Sequence, residues 1–102
     1  MGIGSHLTTV RIIGPSMEPA LRNGECWVVR RGGQVSVGDV VLAVHPLRPD
    51  LQIVKRVVRA EGSSWWVEGD NPDSSDDSRT FGPVDAVLGK LVFRYSPLFR
   101  RA

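Results

Sequence analysis

Short runs of β-branched and apolar residues, separated by turns rich in glycine and proline, make up most of this chain. Runs of this kind are typical of β-strands. They predict strands over residues 8–13, 25–30, 40–44, 51–60, 64–68 and 87–95, with a short extended piece over 35–37. The run over 40–44 is apolar throughout, so we expect it to be covered on both faces. In the run over 51–60 the apolar residues come in pairs, which indicates a bulge or a strong twist.

The segment that follows the first run is rich in turn-forming residues. A Gly-Pro pair ends the extended run, and Pro19 is suited to the first turn of a helix because its missing N–H has no intrahelical partner there. We therefore predict a turn or one short helix after Ser16. Residues 45–50 contain two prolines, so they are predicted to form a loop in which His45 is solvated. The predicted fold class is mainly β with one short helix.

The composition is that of an ordinary globular domain, with 102 residues, 41% apolar and 24% charged. We interpret residues 1–7 as a leader or disordered start and residues 8–102 as a single domain. A formal net charge of +2 is too small to indicate a nucleic-acid partner. No run approaches the roughly 18 apolar residues of a transmembrane helix, and the single Cys26 fits a reducing compartment. These features predict a cytoplasmic protein, or a membrane-associated one if a native anchor has been removed.

Two residues could carry acyl-transfer chemistry. Ser16 is predicted to lie at the open end of a sheet, near backbone N–H groups that could hold an oxyanion. A serine hydroxyl needs a neighbouring base, and Lys55 lies in an apolar strand. If Lys55 points inward, desolvation lowers its pKa and lets the neutral amine act as that base. If it points outward, it is a solvated surface lysine and the domain is a non-enzymatic binding module.

Residues 70–78 form a loop made almost wholly of Asp, Asn, Ser and Pro. A calcium-binding EF-hand loop would require Gly at the position of Ser75 and Glu at that of Phe81, so we expect no metal, and no cofactor. The better interpretation is a loop whose Asx and Ser side chains bond nearby N–H groups. An ion pair between Asp77 and Arg79 could brace it, so that Ser75 or Ser78 orients the amine of Lys55.

Three motifs, in order, resemble those of type I signal peptidases, the S26 family. The serine motif runs from Gly14 to Leu21, the lysine motif covers residues 54–57, and an aspartate/serine/arginine motif covers residues 69–79. The resemblance implies the coiled β-sheet core shared by signal peptidases and LexA-type domains. It also implies a serine endopeptidase with a Ser–Lys dyad, in which Ser16 is the nucleophile and Lys55 the general base.

The resemblance assigns supporting roles as well. It implies that Ser75 orients the lysine and that the backbone N–H of Ser16 forms part of the oxyanion hole. Some members carry a serine hydroxyl donor at the position of Gly14, so backbone donors must do more here. Met17 directly follows the nucleophile, and the remaining residues of the supporting loop are Asp70, Asn71, Asp77, Ser78 and Arg79.

The same resemblance predicts how a substrate would bind. An extended peptide should pair with the strand edges at residues 11–13 and 52–54. The implied apolar pocket admits small residues such as Ala or Gly before the cut. Its predicted lining is Ile12, Ile13, Met17, Leu21, Ile53 and Val54.

Within the superfamily, the short chain and the Trp65-Trp66 pair before Gly69-Asp70 resemble the nickel-type superoxide dismutase maturation proteases. That subgroup removes a leader peptide, so the predicted partner is a precursor protein. Two alternatives remain open beside the binding module. One is the catalytic core of a membrane-anchored type I signal peptidase, and the other is a LexA-like self-cleaving regulatory domain.

Overall fold

The computed structural model describes residues 6–74 and 76–102, and it is mainly β, as predicted. The β-branched and apolar runs form the strands because such side chains pack well on a pleated, half-buried surface. The elements in chain order are β1 (Leu7–Arg11), β2 (Cys26–Arg31), β3 (Val40–His45), β4 (Arg48–Glu61), β5 (Ser64–Glu68), α1 (Ser78–Phe81), β6 (Val87–Ser96) and β7 (Arg100–Arg101).

All seven strands belong to one antiparallel sheet with the order β1-β2-β6-β3-β4-β5. The short strand β7 pairs with Phe93 and Arg94 in the second half of β6. β1 and β4 are not neighbours in this ladder, yet residues of both line the same groove. The sheet therefore coils until these two strands face each other. The groove between them contains the candidate site.

Two hydrophobic clusters cover the two faces of β3. Successive side chains of a strand point to opposite faces; accordingly, Val40 and Leu42 belong to one cluster, while Val41 and Ala43 belong to the other. All four side chains are buried. The prediction that this apolar run is covered on both faces is confirmed.

The short helix lies in a different place from the one predicted. Residues 14–21 form successive turns, held by Glu18 N–Pro15 O and Leu21 N–Met17 O hydrogen bonds, and the helix is α1. The predicted fold class, mainly β with one short helix, is confirmed, and after Ser16 the chain forms the predicted turn rather than the helix. Pro19 explains the outcome, since a proline disfavours the helical conformation of the residue before it and supplies no N–H of its own.

Other parts of the sequence prediction also differ from the structure. Residues 35–37 are not a strand, and the loop predicted over 45–50 is a tight turn because β4 begins at Arg48. The prolines did not prevent pairing because Pro46 lies in the turn itself and Pro49 lies on the end of a strand, where a missing N–H is tolerated. β7 was missed because its two arginines carry no apolar pattern. The irregularity expected in β4 is present as a register shift against β5.

Candidate active site

Ser16 lies on a loop that is closed at its base by backbone pairing. Ile12 N donates to Glu25 O at 2.8 Å, and Gly24 N donates back to Ile12 O at 2.7 Å. At the start of the loop Gly14 has a φ of +86°, a conformation that a residue with a Cβ rarely adopts. Its N–H donates to Oδ1 of Asn23 at 2.8 Å. This serine loop, residues 12–25, thus leaves β1 and returns to β2 with Ser16 near its beginning.

Lys55 Nζ lies 2.9 Å from Ser16 Oγ, although the two residues are 39 positions apart in the chain. β4 carries Lys55 on a face that is covered, and the residue is only 6% exposed. Burial lowers the pKa of Lys55 from its usual value of 10.5, and the negative charges of Asp77 and Asp76 oppose that shift without cancelling it. Among the described residues, no carboxylate lies within ion-pair distance of this amine.

Two backbone donors beside Ser16 are available for an oxyanion. Within residues 6–74 and 76–102, the N–H groups of Ser16 and Met17 donate no hydrogen bond. The turns of this loop use the N–H groups of Glu18 and Leu21 instead.

The acidic loop, residues 69–79, packs against the serine loop and is braced internally. Asp77 is fully buried, caps α1 through the N–H of Arg79 and accepts from the guanidinium of Arg79 at 2.7 and 3.0 Å. It also accepts from the N–H of Gly69 at 2.9 Å. Ser78 is buried and its Oγ accepts from Val67 N at 2.9 Å. The ion pair predicted between Asp77 and Arg79 is therefore present.

Asp70 and Asn71 connect the acidic loop to the rest of the site. Asp70 receives two hydrogen bonds from the guanidinium of Arg56, at 2.9 and 2.8 Å. Asn71 bonds to the serine loop through its backbone N–H, 2.9 Å from Ser16 O, and through its side chain, 3.1 Å from Pro15 O. Ser75, to which the resemblance assigns the orientation of the lysine, lies outside the described residues.

A groove of about 290 Å³ runs beside Ser16 and Lys55, between two strand edges without a neighbour in the described sheet. β1 pairs only with β2, and β5 pairs with β4 only from Arg56 onward. Four of the predicted lining residues lie there, namely Ile12, Ile13, Ile53 and Val54. Arg11 and Gln52, from the strand edges predicted to pair with a substrate, also line the groove, whereas Val10 and Leu42 were missed.

Met17 and Leu21 lie outside this lining. They are 1% and 3% exposed and belong to the cluster around Trp27, because the turns after Ser16 direct both side chains inward. Leu21 instead borders a larger cavity of about 390 Å³, which contains neither Ser16 nor Lys55. We regard the smaller groove as the candidate site because it alone, of the two, contains the paired hydroxyl and amine.

Sequence reasoning also missed the surroundings of two residues. His45, the last residue of β3, is buried rather than solvated. The centroids of its ring and the Phe81 ring are 4.3 Å apart, and its Nδ1 accepts a hydrogen bond from Leu47 N. The sequence analysis assigned no partner to Arg56, which donates two hydrogen bonds to Asp70. The sequence signals for the Arg56–Asp70 pair are weak: Arg56 directly follows the candidate base Lys55, and Asp70 belongs to the candidate supporting loop.

The described residues contain no cluster of His, Cys, Asp or Glu that could hold a metal ion. In that same part of the chain, no helix has the length and apolar character needed to cross a bilayer.

The family model for Peptidase S24-like proteins matches residues 2–92. The chain belongs to the Peptidase S24-like family. It is also similar to subunits of mitochondrial inner membrane proteases, whose names agree with a peptidase. With subunit 1 from Xenopus tropicalis it shares 34% identity over 83% of this chain and 66% of that protein. With the ATP-independent inner membrane protease subunit 1a from Arabidopsis thaliana it shares 32% identity over 89% of this chain and 71% of that protein.

A similarity of the same order extends to subunit 2 from Mus musculus, with 35% identity over 76% of this chain and 59% of that protein. The S24-like chain thus spans roughly two thirds or less of the length of most of these relatives. They support a peptidase, which agrees with the class that the three motifs implied.

Proposed function

We propose that this S24-like chain is a serine endopeptidase in which Ser16 attacks the scissile carbonyl and Lys55 is the general base. The observation that carries the proposal is the 2.9 Å contact between Lys55 Nζ and Ser16 Oγ in a buried setting. Burial lowers the pKa of Lys55, which favours the neutral amine that can accept a proton near neutral pH.

The chemistry follows from these positions. Ser16 Oγ bonds to the scissile carbonyl carbon, its proton passes to Lys55 Nζ, and the carbonyl oxygen becomes an oxyanion beside the backbone N–H of Ser16. Collapse of this intermediate breaks the C–N bond, and the Lys55 ammonium donates its proton to the departing amine. Water then attacks the acyl-serine ester and loses a proton to Lys55. The C–Oγ bond breaks, and the Lys55 ammonium returns the proton to Ser16 Oγ, which releases the acid product and free Ser16.

The groove suits an extended peptide. Two unpaired strand edges, one from β1 and one from β4, flank it. A substrate strand laid between them could form main-chain hydrogen bonds on both sides, which is the usual mode of β-strand addition. The apolar residues of the lining, including Ile12 and Val54, would receive its side chains. We infer that small residues such as Ala or Gly precede the cut, as the signal-peptidase resemblance implies.

The physiological substrate is proposed as an N-terminal leader on a precursor protein. The Trp65-Trp66 pair ahead of the Gly69-Asp70-Asn71 motif favours the leader of a nickel-type superoxide dismutase, processed in the cytoplasm. The names of the inner membrane protease relatives favour a second candidate, a precursor processed at a membrane. Incubating the protein with a nickel-dismutase precursor and with a secretory preprotein, and sequencing the new N-termini, separates the two. Cleavage of the secretory precursor alone would remove the dismutase assignment.

Replacing each member of the dyad tests the chemistry itself. Ser16→Ala and Lys55→Ala should each abolish cleavage, because one lacks the nucleophile and the other lacks the group that receives its proton. Circular dichroism should show both variants folded. Full activity in either folded variant would disprove the Ser–Lys mechanism. A parent that cuts only its own chain, and no added precursor, would instead favour a LexA-like self-cleaving domain.

A further inference from the structure

The side chain of Asn71 makes one donor and one acceptor contact. Its Nδ2 donates to Pro15 O at 3.1 Å, while its Oδ1 accepts from Asp73 N at 3.1 Å. The backbone N–H of the same residue donates to Ser16 O at 2.9 Å. One residue of the acidic loop therefore binds the two carbonyls on either side of the nucleophile's Cα.

These two carbonyls determine where the neighbouring N–H groups point. A peptide unit is planar, and in its trans form the C=O and the next N–H point in opposite directions. The Pro15–Ser16 and Ser16–Met17 bonds are trans. A bond from Asn71 Nδ2 to Pro15 O therefore directs the N–H of Ser16 away from the acidic loop. The bond to Ser16 O fixes the N–H of Met17 in the same way.

We propose that Asn71 is a positioning residue, whose side-chain amide orients the Pro15–Ser16 peptide so that the N–H of Ser16 faces the developing oxyanion. The inference rests on the proposed function, because it assumes that this N–H stabilises the transition state. Asn71 is not among the residues that line the groove, and its bonds to Pro15 and Ser16 are to backbone carbonyls rather than to the reacting Oγ. Its effect should appear in the chemical step and leave substrate binding unchanged.

The expected size of the effect is limited by a second contact. Pro15 O also accepts from Glu18 N at 3.0 Å, so the turn retains part of the orientation without Asn71. Loss of a whole oxyanion donor lowers kcat by about 10²–10³-fold. Loss of the group that aims a donor should therefore cost less, about 10- to 100-fold.

The chain offers a matched pair of substitutions. Asn71→Asp keeps the shape and the oxygen that Asp73 N requires, but it replaces the donor by an oxygen that repels Pro15 O. Asn23→Asp makes the same chemical change on the other side of the serine loop. There the existing bond survives, because Asn23 uses its oxygen to accept from Gly14 N. The pair therefore separates loss of the hydrogen bond from addition of a negative charge.

We expect Asn71→Asp to lower kcat by about 10- to 100-fold on a peptide that the parent cleaves, with KM changed by less than about threefold. Asn23→Asp should stay within about twofold of the parent in both constants. A peptide aldehyde ending in alaninal gives an independent readout. Addition of Ser16 Oγ to its carbonyl carbon breaks the C=O π bond, sends the serine proton to Lys55 and creates the same oxyanion. Its inhibition constant should rise in Asn71→Asp by about the factor lost in kcat.

Several outcomes would overturn the inference. An Asn71→Asp protein with parental kcat, or equal losses in the two Asp variants, would show that the bond does not aim a donor. A lower melting temperature with full activity in the folded fraction would show a purely structural role. Should Asn71→Asp not fold, Asn71→Ala provides the test, with an expected kcat loss of about 5- to 30-fold; parental kcat there would be equally decisive. Activity that survives Ser16→Ala would instead refute the proposed function itself.

Discussion

On one face of β4, Lys55 is only 6% exposed and its amine contacts a neutral hydroxyl, Ser16 Oγ. On the other face, one residue later, the guanidinium of Arg56 is about a third exposed and donates two hydrogen bonds to Asp70 and another to Gly38 O. Adjacent strand residues always point to opposite faces. The two cations therefore differ in what covers each face of the strand.

The comparison shows two ways in which a fold accommodates a cation. An arginine stays protonated in proteins, so it must be paired wherever it is partly buried. A lysine can release its proton when it is desolvated, and the neutral amine that remains can accept a proton as a base. The candidate site contains both: Lys55 is the proposed base, and Arg56 bonds to Asp70 in the loop that also carries Asn71. Exchanging the two residue types would disable both functions.

The largest expected effect follows from replacing Lys55, the proposed general base. Lys55→Met keeps an apolar chain of similar length in a dry pocket, so cleavage should fall by about 10²–10⁴-fold, the usual contribution of a general base. The same variant should be at least as stable as the parent at pH 7, because it no longer buries an ionisable amine. Peptide cleavage rates and urea denaturation measure the two quantities.

Lys90→Met is the matched control, since Lys90 is the other lysine of the chain. Its side chain is 37% exposed and lies 3.8 Å from Asp39. Cleavage by Lys90→Met should stay within about twofold of the parent, because a partly exposed ion pair contributes little. A Lys55→Met protein that is clearly less stable than the parent at neutral pH would mean that Lys55 is charged in the native state.

The sequence predicted the strands and the pairing of Ser16 with Lys55 better than it predicted the burial of Lys55. The strands, the motif order and the Ser16–Lys55 pairing could be inferred because β-branched runs define strands locally and motif resemblance supplies the roles. The burial of Lys55 could not, because Ile53-Val54 and Val57-Val58 flank it in pairs and give no single apolar face.

The partnership of Arg56 with Asp70 was not predictable for a related reason. It joins residues 14 positions apart and depends on where the loop after β5 packs. Likewise, the burial of His45 depends on contact with Phe81, 36 positions away, which no local pattern encodes. Local propensity therefore gave the sheet, whereas the contacts that brace the site arise only from tertiary packing.

The second prediction concerns pH. Burial lowers the pKa of Lys55 from 10.5 in the folded state. Between the two pKa values the unfolded chain binds more protons than the native protein, so stability rises with pH and falls on acidification through that window. The slope from one such group is at most about 1.4 kcal/mol per pH unit. Below the folded pKa, both states are protonated and this contribution stays constant.

Cleavage should increase with pH through the same folded pKa, because the neutral amine is the active form. Urea denaturation at a series of pH values should show the stability slope in the parent, and Lys55→Met should lack that part of it. An identical pH dependence of stability in the two proteins would show that Lys55 has an ordinary pKa in the folded state. The general base would then have to be sought elsewhere.

The smallest effect is expected from the paired cation. Arg56→Met leaves the carboxylate of Asp70, 20% exposed, without its bidentate partner. A charged hydrogen bond of this kind contributes about 1.5–3 kcal/mol when buried. Because the Arg56 side chain is 36% exposed, solvent screening reduces the expected contribution to stability to about 1–2 kcal/mol.

Urea denaturation of Arg56→Met, Asp70→Asn and the double variant gives the coupling energy between the two residues directly. A coupling energy near zero would mean that the two hydrogen bonds from Arg56 to Asp70 do not hold the acidic loop. A positive coupling energy together with slower cleavage would show that Arg56 and Asp70 position the site. The pH dependence of stability should then stay unchanged, because it depends on Lys55 on the opposite face of β4.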